Sequence, residues 1–338
     1  EEAKPWREAD ADVAEAVDFL EYYAGEMEQL DPPPRLGRYP GELNELFWSP
    51  RGVTVVIAPW NFPLAIPAGM VAAALVSGNP VLFKPSERAS IMGYRLATIL
   101  RQAGVPAGVL QYVPGGPDVG RELVTQASVA TIAFTGSKDV GLGMVQAAAV
   151  QQPGQKFVKR VIAEMGGKNA IIVDDTADLD EAVTGVVQSC TGYAGQKCSA
   201  CSRVILLDSI HDAFIQRLAD AVMSLRIGAA EDPATPPGAV IDRRAQKRIR
   251  DDLEIGRREG RVVVDRSMEG PGYAVGPVVI AGIEPTHRLA QEEIFGPVLA
   301  VMRALSFEQA LQLANGTAYA LTGGLYSRSP RHIELARQ

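Results

Sequence analysis

An alternation of short apolar runs with longer helical stretches constrains the fold of this chain more than any other feature. It begins at a five-residue apolar run, residues 53–57, and continues through four strand–helix pairs. The other strands predicted in this half are 81–83, 110–113 and 131–134, and the helices are 67–77, 89–103, 119–126 and 139–149. Repeated units of this kind predict a parallel sheet covered by helices, which is an α/β fold.

The second half of the chain shows the same type of pattern without repeating the sequence of the first. The predicted strands are 169–173, 202–207 and 298–301, the predicted helices are 179–189, 213–225 and 307–314, and a loop is predicted at 233–238. Residues 35–50 predict an extended, polar excursion. Residues 10–30 predict a helix whose apolar face consists of Val13, Val17, Leu20, Tyr23 and Met27.

Composition and length exclude several classes of protein. The net charge of −7 is spread along the chain without a basic block, which argues against a nucleic-acid partner. No apolar run reaches the length of a membrane-spanning helix. Three cysteines in 338 residues do not make a disulfide framework and indicate a reducing compartment. The chain lacks a starting methionine and stops within a helical pattern, so we expect it to be a piece of a longer polypeptide with two domains.

A glutamate and a cysteine carry the clearest chemical signal. Glu164 opens the run EMGGK, and Cys198 lies in GQKCSA. We expect both residues to lie in glycine-rich turns beside apolar strands. An ionised thiol is a strong nucleophile and a carboxylate can act as a base, so the pair suits covalent catalysis through a thioester.

Cys198 and Cys201 also form a C-x-x-C motif, which leaves alternatives open. A thioredoxin-type redox site is one, although that motif normally opens the first helix of a small domain. A zinc site would need more ligands than this pair supplies, so no metal is predicted. Cys190 falls in an apolar helix and is predicted to be core. A reversible, inactivating disulfide between Cys198 and Cys201 is a further hypothesis.

Polar residues follow the first two predicted strands, where open α/β sheets bind ligands. Asn61, in PWNFP, could donate a hydrogen bond to a developing oxyanion or could cap a tight turn. Lys84 and Glu87, in KPSE, could hold the ribose hydroxyls of a dinucleotide or lie in a solvated loop before a helix.

Three further turns are ambiguous when each is taken alone. GGPDVG at 115–120 and FTGS at 134–137 each follow a strand and precede a helix, so their backbones could approach a pyrophosphate. Neither fits G-x-G-x-x-G, and ordinary turns are the alternative. EEIFGP at 292–297 pairs two acids with an aromatic turn and could equally be a surface loop.

Taken together, PWNFP, KPSE, FTGS, EMGGK, GQKCSA and EEIFGP resemble the aldehyde dehydrogenase superfamily in their order and separations over nearly the whole chain. The resemblance implies a Rossmann-like NAD-binding domain at 1–34 and 51–163, a partial bridging or oligomerisation element at 35–50, and an α/β catalytic domain at 164–338. It implies oxidation of an aldehyde, with Cys198 as the nucleophile and Glu164 activating water. Asn61 and the Cys198 N–H would hold the oxyanion.

The same resemblance implies NAD as the cofactor and a set of contacts to it. Lys84 and Glu87 would contact the adenosine ribose, Glu293 the nicotinamide ribose, and Phe295 would pack beside the nicotinamide. The Glu87 carboxylate favours NAD over NADP, because it would repel a 2′-phosphate. The remaining implied cofactor-binding residues are Ile57, Ala58, Trp60, Gly120, Phe134, Gly136, Ser137 and Gly166.

Within the superfamily, the runs AVDFLEYYAGEM, PGELNELFWSPRG and GYAGQKCSACSR resemble the L-glutamate γ-semialdehyde dehydrogenases, also called 1-pyrroline-5-carboxylate dehydrogenases. These enzymes catalyse the second step of proline catabolism. The resemblance implies that Phe62 and Ser199 contact the substrate. It also implies a homo-oligomeric whole protein, coupled or fused to proline dehydrogenase in some members, in the bacterial cytoplasm or the mitochondrial matrix. The alternatives are another semialdehyde dehydrogenase, whose core motifs are shared, and a non-catalytic structural relative.

Overall fold

The computed structural model describes residues 3–233, 238–267 and 272–338. The predicted loop at 233–238 therefore lies mostly outside the described residues. The described chain divides into two compact units. The first unit is Ala9–Met165, and the second unit is Gly166–Gln338 with the residues that precede Ala9. The assignment of cofactor binding to 1–34 and 51–163 and of catalysis to 164–338 stays a prediction.

The first unit contains the strand–helix alternation that the sequence predicts. Its described elements are α1 (Trp6–Leu30, which starts just before the unit), β1 (Val53–Ile57), α2 (Ala65–Val76), β2 (Val81–Lys84), α3 (Ser90–Gln102), β3 (Leu110–Tyr112), α4 (Pro117–Thr125), β4 (Val129–Thr135), α5 (Lys138–Ala149) and β5 (Arg160–Glu164). The prediction missed β5, because its apolar run is only three residues long, between Arg160 and Glu164, and none of its residues is fully buried. Glu164 is therefore the last residue of a strand and does not lie in the glycine turn that we predicted.

Within the described residues of the first unit, the strands form one parallel sheet in the order β3-β2-β1-β4-β5. Ile57 at the end of β1 pairs with Lys84 on one side and Phe134 on the other. The chain builds one side of the sheet outward from β1 and then crosses to β4 on the opposite side. In open α/β sheets, ligands bind beside such a crossing point, at the carboxyl ends of the strands.

Helices cover both faces of this sheet, because alternate strand residues point to opposite sides. Val56 packs in a cluster with residues of α2 and α3, whereas Val55 and Ile57 pack with residues of α4 and α5. The first of these clusters is rich in alanine, which lets its helices approach the sheet closely. The predicted α/β class is confirmed.

Helix α1 buries a different face from the predicted one. Val13 and Val17 are about half exposed (51% and 49%), whereas Asp12 and Ala16 are buried. Asp12 accepts a hydrogen bond from the Ala65 N–H at 3.0 Å, so it satisfies a donor in the first turn of α2. The small Ala16 and the capping Asp12 place the contact surface one position away from the apolar residues that we predicted.

The segment at 35–50 is an exposed excursion in the structure. One antiparallel bridge joins Arg35 to Glu45. Large apolar side chains in it are solvent-exposed, including Tyr39, Phe47 and Trp48 at 67%, 74% and 64%. The extended, exposed character agrees with the prediction, although the apolar content is higher than a simple polar loop would have.

The second unit also contains a sheet between helices. Its described elements are β6 (Ala170–Val173), α6 (Leu179–Thr191), β7 (Arg203–Leu207), α7 (His211–Ser224), α8 (Arg243–Glu259), β8 (Arg261–Asp265), β9 (Val278–Ala281), α9 (Arg288–Gln291), β10 (Val298–Ala304), α10 (Phe307–Asn315), β11 (Gly323–Tyr326) and α11 (Pro330–Arg337). Among the described residues the strand order is β11-β6-β7-β10-β9-β8, and β8 runs antiparallel to β9. The prediction missed α8, β8, β9 and β11, since α8 is mostly charged and β11 begins with two glycines. Among the described residues, no helix has the length and apolar character needed to cross a membrane.

Candidate active site

Several of the residues predicted to bind a dinucleotide lie at the carboxyl ends of the first unit's strands. Lys84 ends β2 and is buried, and its Nζ donates to the Pro85 carbonyl at 3.3 Å. Burial lowers the pKa of Lys84, and the negative charges of Glu87 and Asp118 partly oppose that shift. A buried ammonium beside two carboxylates can donate hydrogen bonds to a hydroxylated ligand.

Glu87 is exposed and lies beside the glycine turn at 115–120. A Cβ atom at Gly116 would lie 3.3 Å from Glu87 Oε2, and one at Gly120 would lie 3.7 Å from Lys84 Cε. The turn therefore brings its backbone next to both side chains. The structure brings together Lys84, Glu87 and Gly120, as the cofactor prediction requires.

At the crossing point of the sheet, β1 and β4 end side by side. Ile57 and Ala58 are buried there, and the Ala58 N–H donates to the Lys84 carbonyl at 3.1 Å. Phe134 is buried in β4, and a Cβ atom at Gly136 would lie 2.6 Å from its ring. Ser137 precedes α5 and is exposed, so the turn offers a helix N-terminus to solvent. That geometry suits the binding of an anion such as a phosphate.

Two predicted catalytic residues also lie on this edge of the first unit. Glu164 is exposed at the end of β5, and its carbonyl accepts from the Gly136 N–H at 3.0 Å. Asn61 follows β1 and is buried, while its neighbours Trp60 and Phe62 are half-buried. Their side chains lie in the loop after the first strand, as the sequence predicts.

In the second unit, Cys198 lies in the loop between α6 and β7, residues 192–202, which we name the nucleophile loop. Three consecutive residues near its start, Tyr193, Ala194 and Gly195, have positive φ angles of 51°, 53° and 68°. Tyr193 and Ala194 are buried, and only glycine adopts this conformation without strain. Such strain persists only where the surrounding structure holds it.

Gln196 is one residue that holds the nucleophile loop. It is fully buried, its Nε2 donates to the Tyr193 carbonyl at 3.3 Å, and its Oε1 accepts from the Ile241 N–H at 2.8 Å. Within the loop, Cys198 is half-buried and Ser199 is exposed. The loop therefore presents a cysteine and a serine on a base that is anchored in the core.

The other two cysteines are chemically quiet. Burial raises the pKa of Cys201 to about 12, and burial also raises that of Cys190 well above its usual range. The Cys201 thiol donates to the Arg203 carbonyl at 3.3 Å. All three cysteines are free thiols in the structure. The disulfide between Cys198 and Cys201 stays a prediction, in which the buried Cys201 thiol with its raised pKa would be the less reactive partner.

Three predicted motifs meet in the second unit. The Gly167 N–H donates to Glu293 Oε1 at 3.0 Å, and a side chain at Gly166 would collide with the same carboxylate. A side chain at Gly195 would collide with the Gly296 carbonyl. The runs EMGGK, GQKCSA and EEIFGP are thus interlocked through glycines that allow backbone contact. Phe295, in the third run, is itself held at a φ of 54°.

Sequence reasoning missed a group of buried polar residues beneath these motifs. Arg203 is buried at the start of β7 and donates to the Lys168, Leu313 and Ala314 carbonyls at 2.9, 2.7 and 2.8 Å. The last two carbonyls lie in the last turn of α10, and the Leu313 carbonyl also accepts from the Gly316 N–H at 3.4 Å. Burial lowers the pKa of Arg203 to about 10. A cation at the first residue of an otherwise apolar strand was the available signal.

Lys168 is the second residue that was missed. Its Nζ is buried and has no hydrogen-bond partner among the residues that the structure describes. Burial and the positive charge of Arg203 lower the pKa of Lys168 to about 7, and the charges of Glu293 and Asp252 oppose that shift. The described residues include no cluster of three or more histidine, cysteine or acidic side chains placed to hold a metal ion.

These features define a two-unit α/β protein with glycine-rich turns at a strand crossing and a cysteine in an anchored loop. The sequence model of the aldehyde dehydrogenase family matches residues 1–338. The chain belongs to the aldehyde dehydrogenase family, as its motifs predict.

Individual relatives show which group within the family the chain is similar to. The chain is 48% identical over 339 residues to the 1-pyrroline-5-carboxylate dehydrogenase of Geobacillus thermodenitrificans, a match that covers 100% of this chain and 66% of that protein. The corresponding Bacillus subtilis protein is 43% identical over 340 residues. The chain thus spans about two thirds of the length of the curated relatives it matches. The predicted resemblance to this group is confirmed.

Solved structures show the same likeness. A Thermus 1-pyrroline-5-carboxylate dehydrogenase with bound NAD superposes with a TM-score of 0.96 at 45% identity, covering 99% of this chain and 65% of that one. Proline utilization A from Bdellovibrio bacteriovorus superposes with a TM-score of 0.98 at 49% identity, covering 99% of this chain and 35% of that one.

Proposed function

We propose that this chain carries an NAD-dependent activity that oxidises L-glutamate γ-semialdehyde, the open form of 1-pyrroline-5-carboxylate, to L-glutamate. The observation that carries the proposal is the similarity of the whole chain to proteins named 1-pyrroline-5-carboxylate dehydrogenase, at 48% identity. A resemblance of this degree, together with the retained Cys198, Glu164 and Asn61, favours a catalyst over a non-catalytic relative. A scaffold would have no need of that set of residues.

Cys198 is the proposed nucleophile. It is half-buried in a loop outside the sheet, whereas Cys190 and Cys201 are buried and have raised pKa values. Its thiolate attacks the aldehyde carbon and forms a thiohemiacetal, whose oxyanion the Asn61 amide and the Cys198 N–H are assigned to hold. Loss of a hydride from that carbon gives a thioester. Water then cleaves the thioester to the carboxylic acid and regenerates the thiol.

Glu164 is assigned to activate that water. Its side chain is exposed at the end of β5, so solvent reaches the carboxylate directly. A general base must accept a proton from water as the water attacks the thioester carbonyl, and a solvent-accessible carboxylate can do so. A relative that transfers the acyl group to another acceptor would not need this residue.

NAD is the proposed cofactor, and when bound it accepts the hydride that leaves the substrate carbon. The first unit fits a dinucleotide at the strand crossing, where the turn at Gly136 and Ser137 exposes the start of α5 for a pyrophosphate. Lys84 and Glu87 are assigned to the adenosine ribose, and the buried Ile57, Ala58 and Phe134 are assigned to the base of the cofactor site. A Thermus relative is described with bound NAD.

In the second unit, Glu293, Phe295 and Gly166 are assigned to the nicotinamide end of the cofactor. The Gly167 N–H fixes the Glu293 carboxylate, and the bare Gly166 leaves room for it. Phe62 and Ser199 are assigned to the substrate. These roles follow from the family resemblance and are supported by the local geometry within each unit.

The cellular setting is proposed from the relatives. Named relatives come from bacteria such as Bacillus subtilis, so we place the reaction in the bacterial cytoplasm. The segment 35–50, with its exposed apolar side chains, suits a bridging role in a homo-oligomer of the whole protein. The likeness to proline utilization A supports a functional link to the enzyme that oxidises proline.

The test is NADH formation from NAD and pyrroline-5-carboxylate, with succinate semialdehyde as the comparison substrate and Cys198→Ala as the control. Turnover that requires Cys198 and prefers pyrroline-5-carboxylate supports the proposal. A preference for succinate semialdehyde would reassign the substrate, and turnover that survives in Cys198→Ala would overturn the mechanism.

A further inference from the structure

The nucleophile loop is held by local hydrogen bonds and by side chains from outside it. A turn is closed by the Ala200 N–H, which donates to the Lys197 carbonyl at 3.1 Å. The Cys201 N–H donates to Ser189 Oγ at 3.0 Å. Neither bond is made to the Cys198 carbonyl.

Asn169, immediately before β6, supplies one of the side chains from outside the loop. Its Nδ2 donates to the Cys198 carbonyl at 2.7 Å and to the Ala200 carbonyl at 3.0 Å. Its Oδ1 accepts from the Thr322 N–H at 3.1 Å, and the residue is only 6% exposed. Since carbonyls face the amide nitrogen and an N–H faces the amide oxygen, the side chain fits in one orientation.

The main chain of Asn169 holds the far end of the same loop. Its carbonyl accepts from the Ser202 N–H at 3.2 Å and from the Arg203 N–H at 3.1 Å. Asn169 therefore contacts the nucleophile loop at Cys198, Ala200 and Ser202, and it contacts β7 at Arg203. One residue thus bridges the whole stretch from the cysteine to the first residue of β7.

The residues before Asn169 leave it little freedom to move. The Lys168 carbonyl accepts from Arg203 Nε at 2.9 Å. A Cβ atom at Gly167 would lie 2.5 Å from the Cys198 carbonyl oxygen and 2.6 Å from Asn169 Oδ1. Glycine at 167 is therefore what allows the amide and the Cys198 carbonyl to meet.

We propose that Asn169 is a positioning residue, which aims the Cys198 thiol by clamping the carbonyls on both sides of Ser199. This inference rests on the proposed function, in which Cys198 is the nucleophile. The clamped carbonyl restricts rotation about the Cα–C bond of Cys198 and so the position of the Cα–Cβ bond from which the thiol extends. A displacement of about 1 Å at a reacting atom can cost about 100-fold in rate, so the clamp is expected to be measurable.

Matched variants separate positioning from a general effect on folding. Asn169→Asp keeps the size and the acceptor for Thr322 but cannot donate to the two carbonyls. Asn169→Ser is too short to reach both, and it serves if the aspartate variant does not fold. Ser202→Ala is the control, because it removes a 3.3 Å contact from Ser202 Oγ to the Asn169 carbonyl and leaves the side-chain clamp intact.

Two measurements are made on each variant. Pre-steady-state NADH formation with pyrroline-5-carboxylate reports the rate of the first turnover. Amide hydrogen exchange of the peptide 196–202 reports the order of the loop without any substrate. We expect the first-turnover rate to fall about 10- to 100-fold in both Asn169 variants while the KM for NAD changes less than about twofold. Exchange in 196–202 should quicken in both, and Ser202→Ala should match the natural sequence in both measurements.

The proposal is overturned if the first-turnover rate stays within about threefold of the natural sequence. It is also overturned if Ser202→Ala loses as much rate as the Asn169 variants, since the effect would then be general. If the natural sequence shows no Cys198-dependent turnover, the proposed function fails. Hydrogen exchange then still tests whether Asn169 holds the loop. Quicker exchange in the Asn169 variants would then support it, and unchanged exchange would refute it.

Discussion

The two units place their candidate residues at opposite ends of their strands. In the first unit the residues follow the strands, as Ile57 ends β1, Lys84 ends β2 and Glu164 ends β5. In the second unit they precede the strands, as Asn169 lies directly before β6 and Cys198 lies shortly before β7. The general rule that ligands bind at carboxyl ends of parallel strands describes the first unit and not the second.

The difference has a physical consequence for how each set of residues is held. At the carboxyl edge of the first unit, helix starts and exposed side chains such as Glu87 and Ser137 are available without burying polar groups. In the second unit the loops reach into the core, so their backbone carbonyls need hydrogen-bond donors. The buried side chains of Asn169, Gln196 and Arg203 supply those donors. We therefore expect substitutions in the first unit to change binding alone, and substitutions in the second to change the fold as well.

Among the substitutions considered, Gly195→Ala should cause the largest loss of stability. The added methyl would collide with the Gly296 carbonyl, and the φ of 68° strains any other residue. We expect a loss of about 3 kcal/mol or more in the free energy of unfolding, measured by urea denaturation, together with loss of activity. Gly143→Ala in α5 is the control, since no described atom outside that helix lies within 4 Å of the new methyl. It should stabilise the protein by about 0.5 to 1 kcal/mol, and equal losses in both variants would contradict the comparison.

Lys168→Met should show the next largest change in stability, and the size of that change should depend on pH. The folded protein lowers the pKa of Lys168 to about 7 from 10.5, so the unfolded chain binds the proton more tightly. Below about pH 7 the folded state carries the full cost of the buried ammonium. Between about pH 7 and about pH 10.5 that cost falls as pH rises, because the folded state has already lost the proton.

The gain in stability of Lys168→Met over the natural sequence should therefore be largest near pH 6 and should shrink toward pH 10. Other titrating groups are shared by the two proteins and cancel in the difference. Urea midpoints across this range make the measurement. A difference that is constant with pH would show that Lys168 titrates normally.

Glu87→Gln should change cofactor binding without unfolding the first unit. The side chain is exposed, so its removal should leave the urea midpoint unchanged. We expect the Kd for NAD to rise about tenfold and the preference for NAD over NADP to fall, since the repulsion of a 2′-phosphate is removed. Titration of intrinsic fluorescence with each dinucleotide tests this. A large loss of stability would contradict the expectation that substitutions in the first unit change binding alone.

Ala194→Gly should have the smallest effect. At a φ of 53° glycine relieves strain, which offsets the lost methyl contact and the added freedom of the unfolded chain. We expect a change within about 0.5 kcal/mol. Ala182→Gly, in α6 and equally buried, should cost about 1 kcal/mol or more, because its backbone is helical. Equal costs would show that the left-handed turn stores no strain.

Much of the fold could be predicted where the signal is local. The predicted strands at 53–57 and 81–83 are present in the structure. Short apolar runs bounded by glycine and proline indicate buried strands, whichever other strand they pair with. The motifs around Cys198 and Glu293 could also be recognised, because each of them is a continuous stretch of sequence. In contrast, β5 and α8 were missed, because their residues are charged or half-exposed and their apolar pattern is weak. The roles of the individual site residues stay predictions.

The sequence by itself determined the α/β class, the order of the glycine turns, the family and the three residues proposed for catalysis. Only the tertiary structure decided which face of α1 is buried, that Asn169 holds the Cys198 carbonyl, and that Arg203 caps α10. The reason is that periodicity and motifs report on neighbours along the chain. The need of a buried carbonyl for a donor is met by a residue more than 30 positions away, as when Arg203 donates to the carbonyls of Lys168 and Leu313.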